Sequence, residues 1–385
     1  MSNIEELSDL LVNIFGSRGA VVSGRDLSPV SRMFKRALTA GLMSLGIEVL
    51  DFHDATSGEV SFSIRKFGAI GGFNIVLDHA ASKCIMIKLF KNPGYEIVGE
   101  ELAHHLSGVK PRERIFEKVG WVSYVEYIHK LYAAALAGFI RQDVVQERRL
   151  KVVVDPTDSP ASNVLGEFLQ TIGANYVMVS GFNPGSLYPY TWEIDRVAIV
   201  SNATEAIFGA VFNNDATQIA LYSPRVGLLL PEDIVLFLSK RLPAGSKIFV
   251  QEPFIGPYVD KLKSEGYDVR IYREENKMIE DIRRVRPAIA VSWRGEIALP
   301  AFSLSYDSLA LFSILLEAVA LGMHASIDEV GGVRSKSVSG IISVDKVLSE
   351  CREMGKVAIW GCRDENSGKV FVYSPKERGF LVMEN

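Results

Sequence analysis

The sequence predicts an α/β fold: three successive α/β/α mixed-sheet domains around a central cleft, then a small C-terminal α+β domain. Three observations predict it. A unit of apolar strand, polar loop, amphipathic helix, glycine and second apolar strand occurs three times. The strand segments are rich in valine and isoleucine, as strands buried on both faces require. The chain, at 385 residues, is too long for one hydrophobic core, and its apolar fraction of 48% excludes disorder by composition.

The first unit opens at Ala20–Asp26 and closes at Leu45–Asp51. The second opens at Leu150–Pro156 and closes at Ile172–Val179. The third opens at Lys247–Pro253 and closes at Glu265–Tyr272. In each, the helix carries the chain back so that the two strands pair in parallel. The glycine before each second strand suits a helix C-terminus, where a positive φ is needed. Ligands of such sheets lie beyond the carboxyl ends of the strands. That rule points to the loops Gly24–Asp26, Asp155–Asp158 and Glu252–Pro253, three edges that can face one cleft. Ser123–Ile140 reads as a helical stretch and Gln142–Arg149 as a charged link. Ser308–Met323 reads as a buried helix, too short for a membrane span and carrying Glu317. Beyond Gly322 the pattern changes to short strands, Val357–Trp360 and Val370–Tyr373, with Gly and Ser turns. The expected domains are residues 1–122, 123–225, 226–322 and 323–385.

Composition removes several functions. A formal net charge of -4 supplies no broad basic field, so no nucleic-acid partner is expected. No membrane partner is expected either. The three cysteines, Cys84, Cys351 and Cys362, are scattered without a CxxC pair. That excludes a disulfide framework or zinc cluster and fits a reducing, cytoplasmic location. The N-terminus is acidic and amphipathic, unlike a signal peptide. His104–His105 lacks ligand partners at metal spacing. Arg283–Arg286 follows Glu280–Asp281 and reads as a salt-bridged helix face. Gly68–Gly72 precedes a strand rather than following one, so it lacks the dinucleotide-binding context.

Val21–Pro29, with its Gly24-Arg25-Asp26 loop, resembles the opening strand and loop of the α-D-phosphohexomutases. Val152–Ser162 is similar to that family's VVVDPGNGAGS segment, and Phe182–Pro189 to its EPDGxFP segment. The resemblance runs in order through nearly the whole chain, and the family too has three α/β domains and a smaller fourth. It implies reversible phosphoryl transfer through a phosphoserine, with a metal on an aspartate loop, a sugar-orienting loop and a phosphate-gripping loop. Such chemistry rests on positioning and charge stabilisation.

The resemblance also assigns site residues, many of them altered. Where the family reads TASHNPxxxNGIKLF, this chain reads Val76–Phe90. Asp78 falls on the serine, while His79 and Lys88 match the family's His and Lys. These three are the implied catalytic positions. Asp78 reads either as a fixed charge or drifted residue, or as an acyl-phosphate nucleophile. Where the family reads DGDADR, this chain has Asn213–Gln218. Asp215 is its one carboxylate, and Asn213 and Thr217 keep oxygen but no charge. Magnesium prefers anionic oxygen, so the implied Mg2+ site is a weak one, and no organic cofactor is expected. The implied substrate-binding residues are Arg25, Lys277, the Gly295–Glu296 pair of the sugar loop, and Ser374, Lys376 and Arg378. The expected function is a phosphohexomutase-like protein of carbohydrate metabolism without standard mutase turnover. It would bind hexose phosphates or pair with an active relative or a second copy of itself. The alternative is an active intramolecular phosphotransferase using Asp78.

Overall fold

The computed structural model describes residues 2–78, 84–114, 116–179, 192–252 and 256–323. Beyond them it describes the strands at 341–342, 357–358, 361–363, 370–374 and 379–383.

The first sheet contains β1 (Ala20–Arg25), β2 (Glu48–Asp51), β3 (Gly71–Asp78), β4 (Cys84–Lys91), β5 (Tyr95–Glu96) and β6 (Val122–Tyr124), in the order β5-β4-β3-β1-β2-β6. The second contains β7 (Lys151–Asp155), β8 (Asn175–Met178), β9 (Phe208–Phe212), β10 (Ile219–Ser223) and β11 (Gly227–Leu229), in the order β11-β10-β9-β7-β8. The third contains β12 (Lys247–Gln251), β13 (Asp268–Tyr272), β14 (Ile289–Val291) and β15 (Ile297–Ala298), in the order β13-β12-β14-β15. The last has β16 (Ile341–Ile342), β17 (Val357–Ala358), β18 (Gly361–Arg363), β19 (Val370–Ser374) and β20 (Gly379–Met383), all antiparallel.

The three repeated units form as expected. β1 pairs in parallel with β2, β7 with β8 and β12 with β13. The glycines before the second strands, Gly46, Gly173 and Gly266, all have positive φ. All three main sheets are mixed, because an antiparallel strand joins each parallel core: β4, β10 and β15.

The third sheet explains how the units share a core. Side chains alternate across a strand. Ile248 and Val250 of β12, with Ile289 and Val291 of β14, join the apolar cluster of the second sheet. Phe249, Ala290 and Ala298 point the other way, into the cluster of Val21, Phe73, Ile75 and Leu89 from the first sheet. The third sheet is therefore packed on both faces, one against each of the apolar clusters.

Two segments differ from the sequence reading. Val122–Tyr124 pairs with β2 as a strand, and the helix begins only at Ile128. Gln142–Arg148 is a helix rather than a link, because Val145 is fully buried and Val144 packs against the same apolar cluster. The buried segment after Ser308 forms a helix to Ala318, as expected, and continues to Met323 in a wider turn.

Candidate functional site

The Gly24-Arg25-Asp26 segment ends β1. A Cβ on Gly24 would lie 2.7 Å from Val60 and 2.9 Å from the Asn74 side-chain oxygen, so the glycine is a packing requirement. Asp26 is buried and fastens the strand ends. Its carboxylate accepts the Leu77 N–H at 2.6 Å, the Ser28 N–H at 3.0 Å and the Asn214 amide at 3.4 Å. Arg25 donates to the Asp26 carbonyl at 2.5 Å.

Asn213–Gln218 joins β9 to β10 as a tight loop. The Asn213 and Gln218 backbones bond at 3.2 Å, and Ala216 takes a left-handed φ of 54°. The Ala216 carbonyl accepts both the N–H and the hydroxyl of Ser308, at 2.9 and 2.7 Å. The Asn214 amide donates to the Leu77 carbonyl at 2.9 Å. The loop is thus held from the first sheet and from the helix Ser308–Ala318 at once.

Its carboxylate, Asp215, is the centre of the site. Lys88 lies on β4 directly across from Asn74 on β3. Lys88 Nζ reaches Asp215 Oδ2 at 2.6 Å, with both side chains at least 95% buried. Ser57 Oγ donates to the same oxygen at 3.0 Å and accepts from the Asn74 amide at 3.2 Å. Asp215 Oδ1 accepts from the Asn213 amide at 2.7 Å and from the Thr217 hydroxyl at 3.0 Å. Burial works against both charges. The pair outweighs it, so the Asp215 carboxyl is held below its usual range and the Lys88 ammonium above its own.

These contacts decide whether the loop fits a magnesium ion. A carboxylate has about four lone-pair positions, and all four on Asp215 are taken. The Asn213 side-chain oxygen accepts the Gln218 N–H at 2.9 Å, and the Thr217 hydroxyl accepts from the Asn213 amide at 3.2 Å. The sequence-predicted trio does come together, but to bind itself. The residues do not fit a divalent cation. Among the described residues no group of three or more His, Cys, Asp or Glu side chains is placed to hold a metal.

The sugar-loop residues lie beside this pair. Ser292–Glu296 turns between β14 and β15, with Gly295 at a φ of 77°. The buried Glu296 carboxylate accepts from Ser292 Oγ at 3.0 Å. Lys88 is stabilised electrostatically by Glu96 and Glu296 as well as by Asp215. Glu275 and Arg294 complete the cluster. Burial, opposed by Lys88 and reinforced by Glu296 and Glu275, pushes the Glu96 carboxyl up to about 7.

Lys277 stands exposed, paired with Glu274 at 2.8 Å, outside this buried cluster. For Asp78 the backbone is described, at the end of β3 opposite Cys84, and for Ser374 the backbone at the end of β19. His79, Lys376 and Arg378 lie outside the described residues, as does the Phe182–Pro189 segment. Sequence reasoning missed Ser57, Asn74, Glu96 and Asn214. Asn214 lies in the 213–218 loop but was not assigned a role there, and the other three sit in no motif; only the placement of Asn74 opposite Lys88 could have pointed to one of them.

A second ionic joint ties the helix Ser57–Phe67 and the loop before it to the helix Ile128–Phe139. His129, on the helix Ile128–Phe139, contacts the fully buried Glu59 at 2.7 Å and Asp54 at 3.9 Å. Burial disfavours its charge, but Glu59 prevails and raises its pKa. A raised histidine pKa gives stability that is present below about 6.5 and lost as pH rises through the folded value. Glu96 acts in the same direction, because its folded state keeps a proton between the usual 4.5 and about 7. The urea midpoint is therefore expected to fall between pH 6 and pH 8. Glu96→Gln and His129→Gln should each flatten that slope, and a midpoint that rises with pH would contradict the assignment.

Residues 2–106 match the family described as phosphoglucomutase/phosphomannomutase, alpha/beta/alpha domain I. The chain is 29% identical over 216 residues to the phosphoglucomutase/phosphomannomutase of Thermococcus kodakarensis, across 52% of this chain and 46% of that protein. It is 22% identical over 332 residues to the phosphoglucosamine mutase of Anaplasma marginale, across 77% of this chain and 69% of that one. It spans about half the length of the archaeal relatives it matches. The X-ray structure of a phosphoglucomutase/phosphomannomutase family protein from Burkholderia thailandensis superposes with a TM-score of 0.71 at 16% identity, covering 98% of this chain and 88% of that one. That last likeness is one of fold.

Proposed function

We propose that this chain, a divergent member of the α-D-phosphohexomutase superfamily by its first domain and its fold, binds hexose phosphates in its cleft without interconverting them. The observation that carries this reading is the Asp215 carboxylate, whose acceptor positions are all committed to protein donors. Phosphoryl transfer of the family's kind needs a cation to neutralise the moving group. Here no carboxylate of the 213–218 loop is free to hold one. The serine that would carry the phosphoryl group is also replaced, by Asp78.

The binding half of the reading rests on what is kept. Glu296 would accept hydroxyl donors of a sugar, and Arg25, at the end of β1, would pair with its phosphate. Ser374, Lys376 and Arg378 occupy the stretch that would meet the substrate's phosphate. The rival reading, transfer through an acyl phosphate on Asp78, demands the same cation and is weakened by the same contacts.

Glucose 6-phosphate and glucosamine 6-phosphate at millimolar concentration are expected to raise the melting temperature, and glucose alone to leave it unchanged. Incubation with a labelled hexose 1,6-bisphosphate should leave no label on Asp78. Label at that residue would replace this reading with the acyl-phosphate one. The absence of any thermal shift would remove the binding half.

A further inference from the structure

We infer that the Lys88 ammonium is the resident cation of the 213–218 loop, so that the folded cleft has no need of a divalent ion and does not respond to one. Three observations carry this. The ammonium and the Asp215 carboxylate are 2.6 Å apart and almost completely buried, so neither charge is compensated by water. The carboxylate is the only one in its loop, and a lone buried carboxylate is satisfied by one unit of positive charge. The neighbouring oxygens that could have enlarged a coordination sphere already accept hydrogen bonds: the Asn213 side-chain oxygen from the Gln218 N–H, the Thr217 hydroxyl from the Asn213 amide and the Ser57 hydroxyl from the Asn74 amide.

The consequence is structural as well as chemical. The loop binds Ser57 through the Asp215 backbone carbonyl at 3.1 Å, Leu77 through Asn214, and Ser308 through Ala216. Its conformation is the joint between the first sheet, the second sheet and the helix Ser308–Ala318. Lys88 supplies the charge that lets this joint close without an ion. A divalent cation entering the wild-type loop would have to expel a hydrogen-bonded ammonium and at least two other donors. The ammonium also has Glu96 and Glu296 as electrostatic partners, which hold it in place beside Asp215.

The inference concerns the loop's counter-charge, and its test uses no sugar phosphate, so its failure is separate from failure of the proposed function. The melting temperature of the wild-type chain is measured in EDTA and in millimolar MgCl2 or MnCl2. It is expected to be the same in all three. Lys88→Met leaves the buried Asp215 carboxylate without its countercharge and should lower the melting temperature by roughly 10 °C. Manganese should recover part of that loss, and Lys88→Met with Asp215→Asn should recover most of it without metal. A wild-type protein that is stabilised by magnesium or destabilised by EDTA would overturn the inference. So would a folded Lys88→Met variant that responds to manganese no more than wild type does. If Lys88→Met alone does not fold, the double variant and the wild-type EDTA comparison still decide the matter.

Discussion

Asp307→Ala is expected to cost about 4 kcal/mol of stability, near the upper end for one side chain. Asp307 is 1% exposed and caps the helix Ser308–Ala318, accepting the Leu309 and Ala310 N–H groups at 3.2 and 3.1 Å. It also accepts the hydroxyl of Tyr132, which is fully buried on the helix Ile128–Phe139. Loss of the cap is worth about 1 kcal/mol. The stranded tyrosine hydroxyl adds roughly 1–3 kcal/mol. Gly58, from the first unit, packs against the same two groups: a Cβ there would lie 2.7 Å from Asp307 and 2.8 Å from the Tyr132 hydroxyl. Three parts of the chain therefore loosen together. Burial already pushes the Asp307 carboxyl up to about 6, so Asp307→Asn, which keeps an acceptor and needs no charge, should lose much less. Urea unfolding of the two variants checks this; equal losses would mean that the acceptor is not what matters.

The second large effect is a gain. Asp78→Ser with Asn213→Asp and Thr217→Asp restores a hydroxyl nucleophile and two anionic oxygens around Asp215. The 213–218 loop is already held by Ser57, Leu77 and Ser308, and charge is what it lacks. The triple variant is expected to interconvert glucose 1- and 6-phosphates in magnesium at a rate at least about tenfold above the parent. EDTA should abolish that rate. A folded triple variant that binds magnesium yet shows no turnover would mean that the nucleophile and substrate loops are not aligned.

Much of the fold was legible because it is written in periodic patterns. The three strand–helix–strand units were readable from valine runs and from Gly46, Gly173 and Gly266, whose positive φ only glycine adopts without strain. The strand Val122–Tyr124 was not readable: three residues carry no period, and the pairing with β2 depends on a partner far along the chain. The helix at Gln142–Arg148 was hidden because only two adjacent valines, Val144 and Val145, anchor it. At the site, Lys88, Asp215 and Glu296 were legible by resemblance. Their mutual arrangement was not, since nothing in the order of residues places a β4 lysine against the loop between β9 and β10. Ser57 and Glu96 were invisible for the same reason: they are polar residues outside any motif, made important only by tertiary contact. Lys277 shows the converse, a position suggested by resemblance that stands exposed beside Glu274.

The most direct measurement is a phosphorus NMR time course on the purified wild-type chain with glucose 1-phosphate, a trace of glucose 1,6-bisphosphate and magnesium. The account predicts that the glucose 1-phosphate signal persists unchanged, in a sample whose melting temperature the same sugar phosphate raises. Conversion to glucose 6-phosphate at an enzyme-like rate, lost on addition of EDTA, would contradict it. That result would mean that a divalent ion reaches Asp215 past Lys88.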